Sequence, residues 1–96
     1  MAKEINPIER KISMVAAASE ALAYKKKNPA HDSDRVLQYI SKNVAIGKDE
    51  ITKMGMIAAA TDALTIVEKQ PALNEKDVLR KVMDNLPGII NNINDI

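Results

Sequence analysis

Three observations predict an all-α fold. Residues 12–44 align without a gap onto residues 54–86, a period of 42, and twelve of the 33 paired positions are identical. Apolar residues recur at helical spacing through both copies. Pro7, Pro29, Pro71 and Pro87 stand at the ends of the periodic stretches, where helices start or stop. A repeat of this length is one supersecondary unit used twice. Neither half is long enough to bury a core alone. The expected architecture is a single domain over residues 1–96, a four-helix bundle of two tandem helical hairpins about a pseudo-twofold axis. Unit 1 spans 6–47, unit 2 spans 48–88, and residues 89–96 add a short C-terminal helical turn. Two units are fewer than the three a solenoid needs, which favours closure into a bundle.

The first helix starts at Asn6-Pro7-Ile8-Glu9. Asn6 can cap, Pro7 suits the first helical position, and Glu9 can reach back to the cap. It should run to about Lys27, with Lys25, Lys26 and Lys27 at the negative end of its dipole and Pro29 beyond. The second helix follows a cap at Asp32 and carries Val36, Leu37, Ile40 and Val44 on one face, with Gly47 after its end. The third runs from a cap at Asp49 to about Lys69, before Pro71. The fourth follows Asn74, with Leu73 and Val78 spaced as a hydrophobic staple, and should end near Leu86 at Pro87-Gly88. The tail then reads as the opening of a third unit, with Ile93 and Ile96 aligned on Ile51 and Met54.

Both long helices are apolar on two faces. In the first, Ile8, Ile12, Val15, Ser19 and Leu22 form one seam, and Met14, Ala17, Ala18 and Ala21 a second face. In the third, Met54, Ile57, Thr61 and Leu64 form the seam, and Met56, Ala59, Ala60 and Ala63 the second face. Such helices are buried on more than one side. The chain has no Phe or Trp and only Tyr24 and Tyr39 as aromatics, which leaves a thin core for a monomer. The expectation is therefore a homo-oligomer, a dimer or tetramer. Its interface would be drawn from Met14, Ala17, Ala18, Ala21, Met56, Ala59, Ala60 and Ala63, with Ile89, Ile93 and Ile96 clipping onto the bundle or a neighbour.

Chemistry has few candidates. The chain has no Cys and one His, so no cofactor or metal site is expected. His31-Asp32-Ser33-Asp34 has an Asp-x-Asp spacing but lacks the Gly and the final Glu of a calcium loop. Asp32 reads as a cap and His31 as the staple residue that Leu73 supplies in the second unit. Ser19 and Thr61 are matched hydroxyls, each followed by an acid, but no base accompanies them in the seam, so no catalytic residue is assigned. Each hydroxyl is expected to bond back to its own helix.

Net charge is +1, with residues 1–47 at +3 and residues 48–96 at −2. The alternative to self-association is a small nucleic-acid-associated protein. It would set Lys25, Lys26, Lys27 and Arg35 on phosphates, with a tyrosine stacking on a base. No apolar run is long enough to span a bilayer, and the first residues lack the apolar core of a signal peptide. A soluble, cytoplasmic, non-catalytic interaction protein is the leading expectation. Residues specific to its function should lie where the copies differ: Lys25-Lys26 against Val67-Glu68, His31 against Leu73, Tyr24 against Ile66, Tyr39 against Lys81, and the tail that opens a third copy.

Overall fold

A computed structural model describes the backbone of residues 7–94 and the side chains of residues 8–91. The described chain is a bundle of helices: α1 (Pro7–Lys27), α2 (Ser33–Tyr39) continued by a π-helical turn (Ile40–Val44), α3 (Glu50–Lys69) and α4 (Glu75–Asn94). The expected cap at Asn6 and the tail residue Ile96 lie outside the described residues, and of Ile93 only its place in α4 is described.

Three caps form as their side chains predict. Asp32 Oδ1 accepts from Arg35 N at 3.0 Å, Asp49 Oδ2 from Thr52 N at 3.2 Å, and Asn74 Oδ1 from Asp77 N at 2.8 Å. The two loops after the long helices make matching backbone bonds. His31 N donates to Asn28 O at 2.9 Å, and Leu73 N donates to Gln70 O at 3.1 Å.

α1 and α3 pack side by side and run in the same direction. Met14 meets Gly55 near their starts, and Lys25 and Val67 line common hollows near their ends. α2 with its π turn packs on both long helices and returns the chain to the start of α3. α4 also packs on both, but makes no contact with α2 or the π turn. The long pair is thus the spine, and the shorter elements flank it separately.

The spine is made of small residues. Met14, Ala17, Ala18 and Ala21 of α1 and Met56, Ala59, Ala60 and Ala63 of α3 are all 0–1 % exposed. This corrects the expected use of these residues: the chain covers them itself, so they offer no surface to a second copy. Alanine lets two axes approach to the close end of the usual separation. Mutual burial of these faces then leaves Ile8 and Ile12 outside, 65 % and 63 % exposed. Periodicity shows two apolar faces but does not rank them.

The second helix departs from its expected register. Ala45 N donates to Ile40 O at 2.8 Å, a bond five residues long, and Ile40 and Ala45 are fully buried while Val44 is half-buried. In α4 the α-helical pair Val82 and Leu86 is buried instead. The wider turn carries Ala45 to the core where Val44 was expected. Gly47, at φ +79°, then lets the chain reverse into the Asp49 cap.

α4 does not stop at Pro87-Gly88; it continues to Asn94. The expected break and separate tail are therefore replaced by one helix. An internal proline costs about 3 kcal/mol in an isolated helix. Ile89 and Ile90 pack against the core beyond it, and full burial of an isoleucine contributes about 1.5–3 kcal/mol. Both are half-buried, so each supplies part of that figure toward the cost of the missing hydrogen bond.

A Cβ at Gly55 would sit 3.0 Å from Met14 Sδ and 3.2 Å from its Cε and Cγ. Gly55→Leu should therefore destabilise the fold by about 1–3 kcal/mol through overpacking. Gly55→Ala should stay within about 1 kcal/mol of wild type, because helix propensity offsets a small Met14 shift. Urea denaturation followed by circular dichroism measures both.

Candidate interaction surfaces

Where α1 and α3 begin, a polar network ties the spine together. Arg10 Nε donates to Thr52 Oγ1 at 3.1 Å, and Arg10 Nη2 lies 3.5 Å from Asp49 Oδ2. Thr52 is 2 % exposed, so its hydroxyl requires such a partner. Hydrogen bonding by the Thr52 side chain holds the Asp49 carboxyl below its ordinary 3.8 against desolvation, with smaller help from the Thr52 backbone N–H and the Arg10 charge. The network satisfies polar groups at the ends of two parallel helices. That is a structural task, and the sequence offered no sign that Arg10 would perform it.

Three of the residues at which the two copies differ, Tyr24, His31 and Tyr39, meet at the α1–α2 corner. Tyr24 Oη hydrogen-bonds His31 Nδ1 at 2.9 Å, and the Tyr24 ring stacks on Tyr39 with centroids 4.3 Å apart. Lys25 Nζ donates to the carbonyls of Pro29 and His31. The chain's only tyrosines and its histidine thus form one half-buried cluster. Beside it lies an open hollow of about 510 Å³ lined by Lys25, His31, Asp34, Leu64 and Glu68. The cluster joins loop to helices through contacts internal to the chain. His31 has one ring nitrogen engaged, and Asp32 is spent on its cap.

These contacts bear on the phosphate-binding candidates. Lys26, Lys27 and Arg35 are exposed, whereas the Lys25 ammonium is held by two backbone carbonyls. Tyr24 and Tyr39 stack on each other. Of the matched hydroxyls, Thr61 is exposed and donates to Ile57 O at 2.8 Å, the local back-bond expected of it; Ser19 is half-buried. Among the described residues no group of three His, Cys, Asp or Glu is placed to hold a metal ion. No helix among them is long and apolar enough to cross a membrane.

Among the described residues, one concentration of apolar surface lies between α1 and α4. Ile8, Ile12, Val15 and Ala16 of α1 and Met83, Leu86 and Pro87 of α4 line a groove of about 590 Å³, with Lys11 at its edge. Ile12 and Met83, at 63 % and 54 % exposed, stand on its two walls, while Leu86 forms its buried floor. Ile46, Ile51 and Met54 are also exposed, near the start of α3. Positions aligned with Ile8 and Met83 in the other unit are Glu50 and Ser41, so the corresponding α2–α3 face is more polar. Single exposed aliphatics are ordinary; several converging on one groove are less so. The periodic pattern contained Ile8, Ile12 and Val15 as a seam, but not that α4 would cover it only in part.

Two tests follow from these contacts. Tyr24→Phe removes the hydroxyl bonded to His31 and should cost about 1 kcal/mol in thermal unfolding with no change in fold. Asp49→Ala should cost about 1 kcal/mol at pH 7 through loss of the cap. The folded Asp49 pKa is depressed, so its stabilisation is present above the unfolded value near 3.8 and lost as pH falls through the folded value. The gap between wild type and Asp49→Ala should therefore narrow below pH 3.8.

Comparison with protein-family models, with curated proteins and with solved structures returned no match.

Proposed function

We propose that this chain is a non-catalytic helical interaction protein that works in the cytoplasm as a homo-oligomer, most simply a dimer. In this reading the bundle is two hairpins of one 42-residue repeat related by a pseudo-twofold axis between α1 and α3. Self-association uses the groove between α1 and α4 and not the alanine faces of the spine. The observation that carries the reading is the convergence of exposed Ile12 and Met83 on one groove floored by Leu86. Covering one such side chain contributes about 1.5–3 kcal/mol, and micromolar association needs about 8 kcal/mol net. A few aliphatic anchors with a polar rim supply an interface of that order. The nucleic-acid alternative has less support, because Lys25 and both tyrosines are engaged within the chain.

Light scattering at tens of micromolar should report a dimer or tetramer. Ile12→Glu and Met83→Glu should each shift it to monomer while leaving the helical spectrum intact, because both side chains are exposed in the single chain. A monomeric wild type at that concentration overturns the proposal. DNA or RNA binding that weakens steeply with salt, alongside a monomeric chain, would favour the alternative.

A further inference from the structure

Among the described residues, the most exposed sulfur stands in the groove between α1 and α4. The sequence has five methionines and no cysteine or tryptophan, so thioethers are the side chains that a two-electron oxidant meets first. Met1 lies outside the described residues. Of the other four, Met14 and Met56 are sealed in the spine at 0 % and 1 % exposed, whereas Met54 and Met83 are 41 % and 54 % exposed. Met54 lies near the start of α3, outside the lining of the groove. Met83 forms the α4 wall, opposite Ile12 and beside the buried Leu86. The rest of the described lining is aliphatic, apart from the Lys11 ammonium at the edge. Neither a saturated carbon nor an ammonium yields to peroxide, so Met83 is the oxidisable side chain of that lining.

Oxidation changes this side chain in one step. The sulfur lone pair attacks the outer oxygen of a hydroperoxide, the O–O bond breaks and an S–O bond forms. The hydroperoxide proton moves to the departing oxygen, which leaves as water or an alcohol. Sulfur loses two electrons and the peroxide gains them. A soft apolar thioether thereby becomes a polar sulfoxide that accepts hydrogen bonds. At an exposed position on α4, water satisfies the new oxygen and the helix is undisturbed. Beneath a partner the same oxygen is costly, because a buried acceptor needs a donor. The one side-chain donor among the described lining residues is Lys11, on α1 at the edge.

Resting on the self-association reading, we propose that Met83 is a site of reversible oxidation by small hydroperoxides, and that its oxidation state controls whether two copies stay together. Contact between copies covers Met83, and dissociation uncovers it. A peroxide therefore acts on the single chain, and the sulfoxide holds the chain single. A thiol-dependent sulfoxide reductase reverses the step: two thiols become a disulfide, the oxygen leaves as water, and the thioether returns. Burial keeps Met14 and Met56 out of this cycle, so the spine survives oxidant that reaches the groove. Met54 is oxidised as well, but it stands outside the groove and does not alter association.

Hydrogen peroxide tests this on the full chain, with peptide mass spectrometry placing each added oxygen. Met54 and Met83 should react about tenfold faster than Met14 and Met56. Raising the protein from well below to well above its dissociation constant should slow Met83 about tenfold and leave Met54 unchanged. Light scattering on the oxidised chain should show association weakened about tenfold, with the helical spectrum retained. Sulfoxide reductase with dithiothreitol should restore it. Met83→Leu should associate as wild type does and lose the peroxide response, whereas Met54→Leu should keep that response. Unchanged association once Met83 is oxidised, a peroxide response that persists in Met83→Leu, or no recovery on reduction would overturn this proposal and leave self-association standing. A monomeric wild type would remove both.

Discussion

The close parallel contact between α1 and α3 is the constraint on which the rest of the fold depends. Ala17, Ala18 and Ala21 face Ala59, Ala60 and Ala63, and Met14 closes over Gly55. Small side chains contribute little area each, so the pair is stable only when every position is fully covered and the axes lie close. Covering them commits one face of each long helix to its sister. The shorter elements must then bind the faces that remain. Parallel helices also bring two N-terminal ends together, which places Arg10 between Thr52 and Asp49. Antiparallel neighbours on either side offset the aligned dipoles of the spine.

Flanking the spine, matched residues take different tasks. Asn43 and Asn85 are identical in the alignment, yet Asn43 Nδ2 donates to Tyr39 O in its own helix while Asn85 Nδ2 crosses to Asp62. The first hairpin holds its corner with Tyr24, His31 and Tyr39 and closes with a π turn. The second has Ile66, Leu73 and Lys81 at those positions and runs on as a longer α-helix. An aromatic corner and a shorter return element belong to one flank, and an extended α4 to the other. That difference leaves aliphatic surface on the α1–α4 side.

A chain without Phe or Trp has few ways to enlarge its core. Its aliphatic seam on α1 is wider than α4 can cover, and the uncovered part carries Ile12 next to Met83.

Local chemistry sufficed to determine the helices and the positions of their caps. Asp32, Asp49 and Asn74 cap because a short side-chain oxygen reaches the third backbone N–H, whatever the rest of the chain does. Helical periodicity likewise identified two apolar faces on each long helix. Only tertiary structure decided which face went inside, because both are apolar and the choice rests on how closely two helices approach. It also decided the π turn that buries Ala45 and the passage of α4 through Pro87, since each depends on what the neighbouring helices cover. The groove was legible only as half of itself. Ile8, Ile12 and Val15 announce a seam, but Met83 and Leu86 lie some seventy residues away in the chain, and only packing brings them beside it.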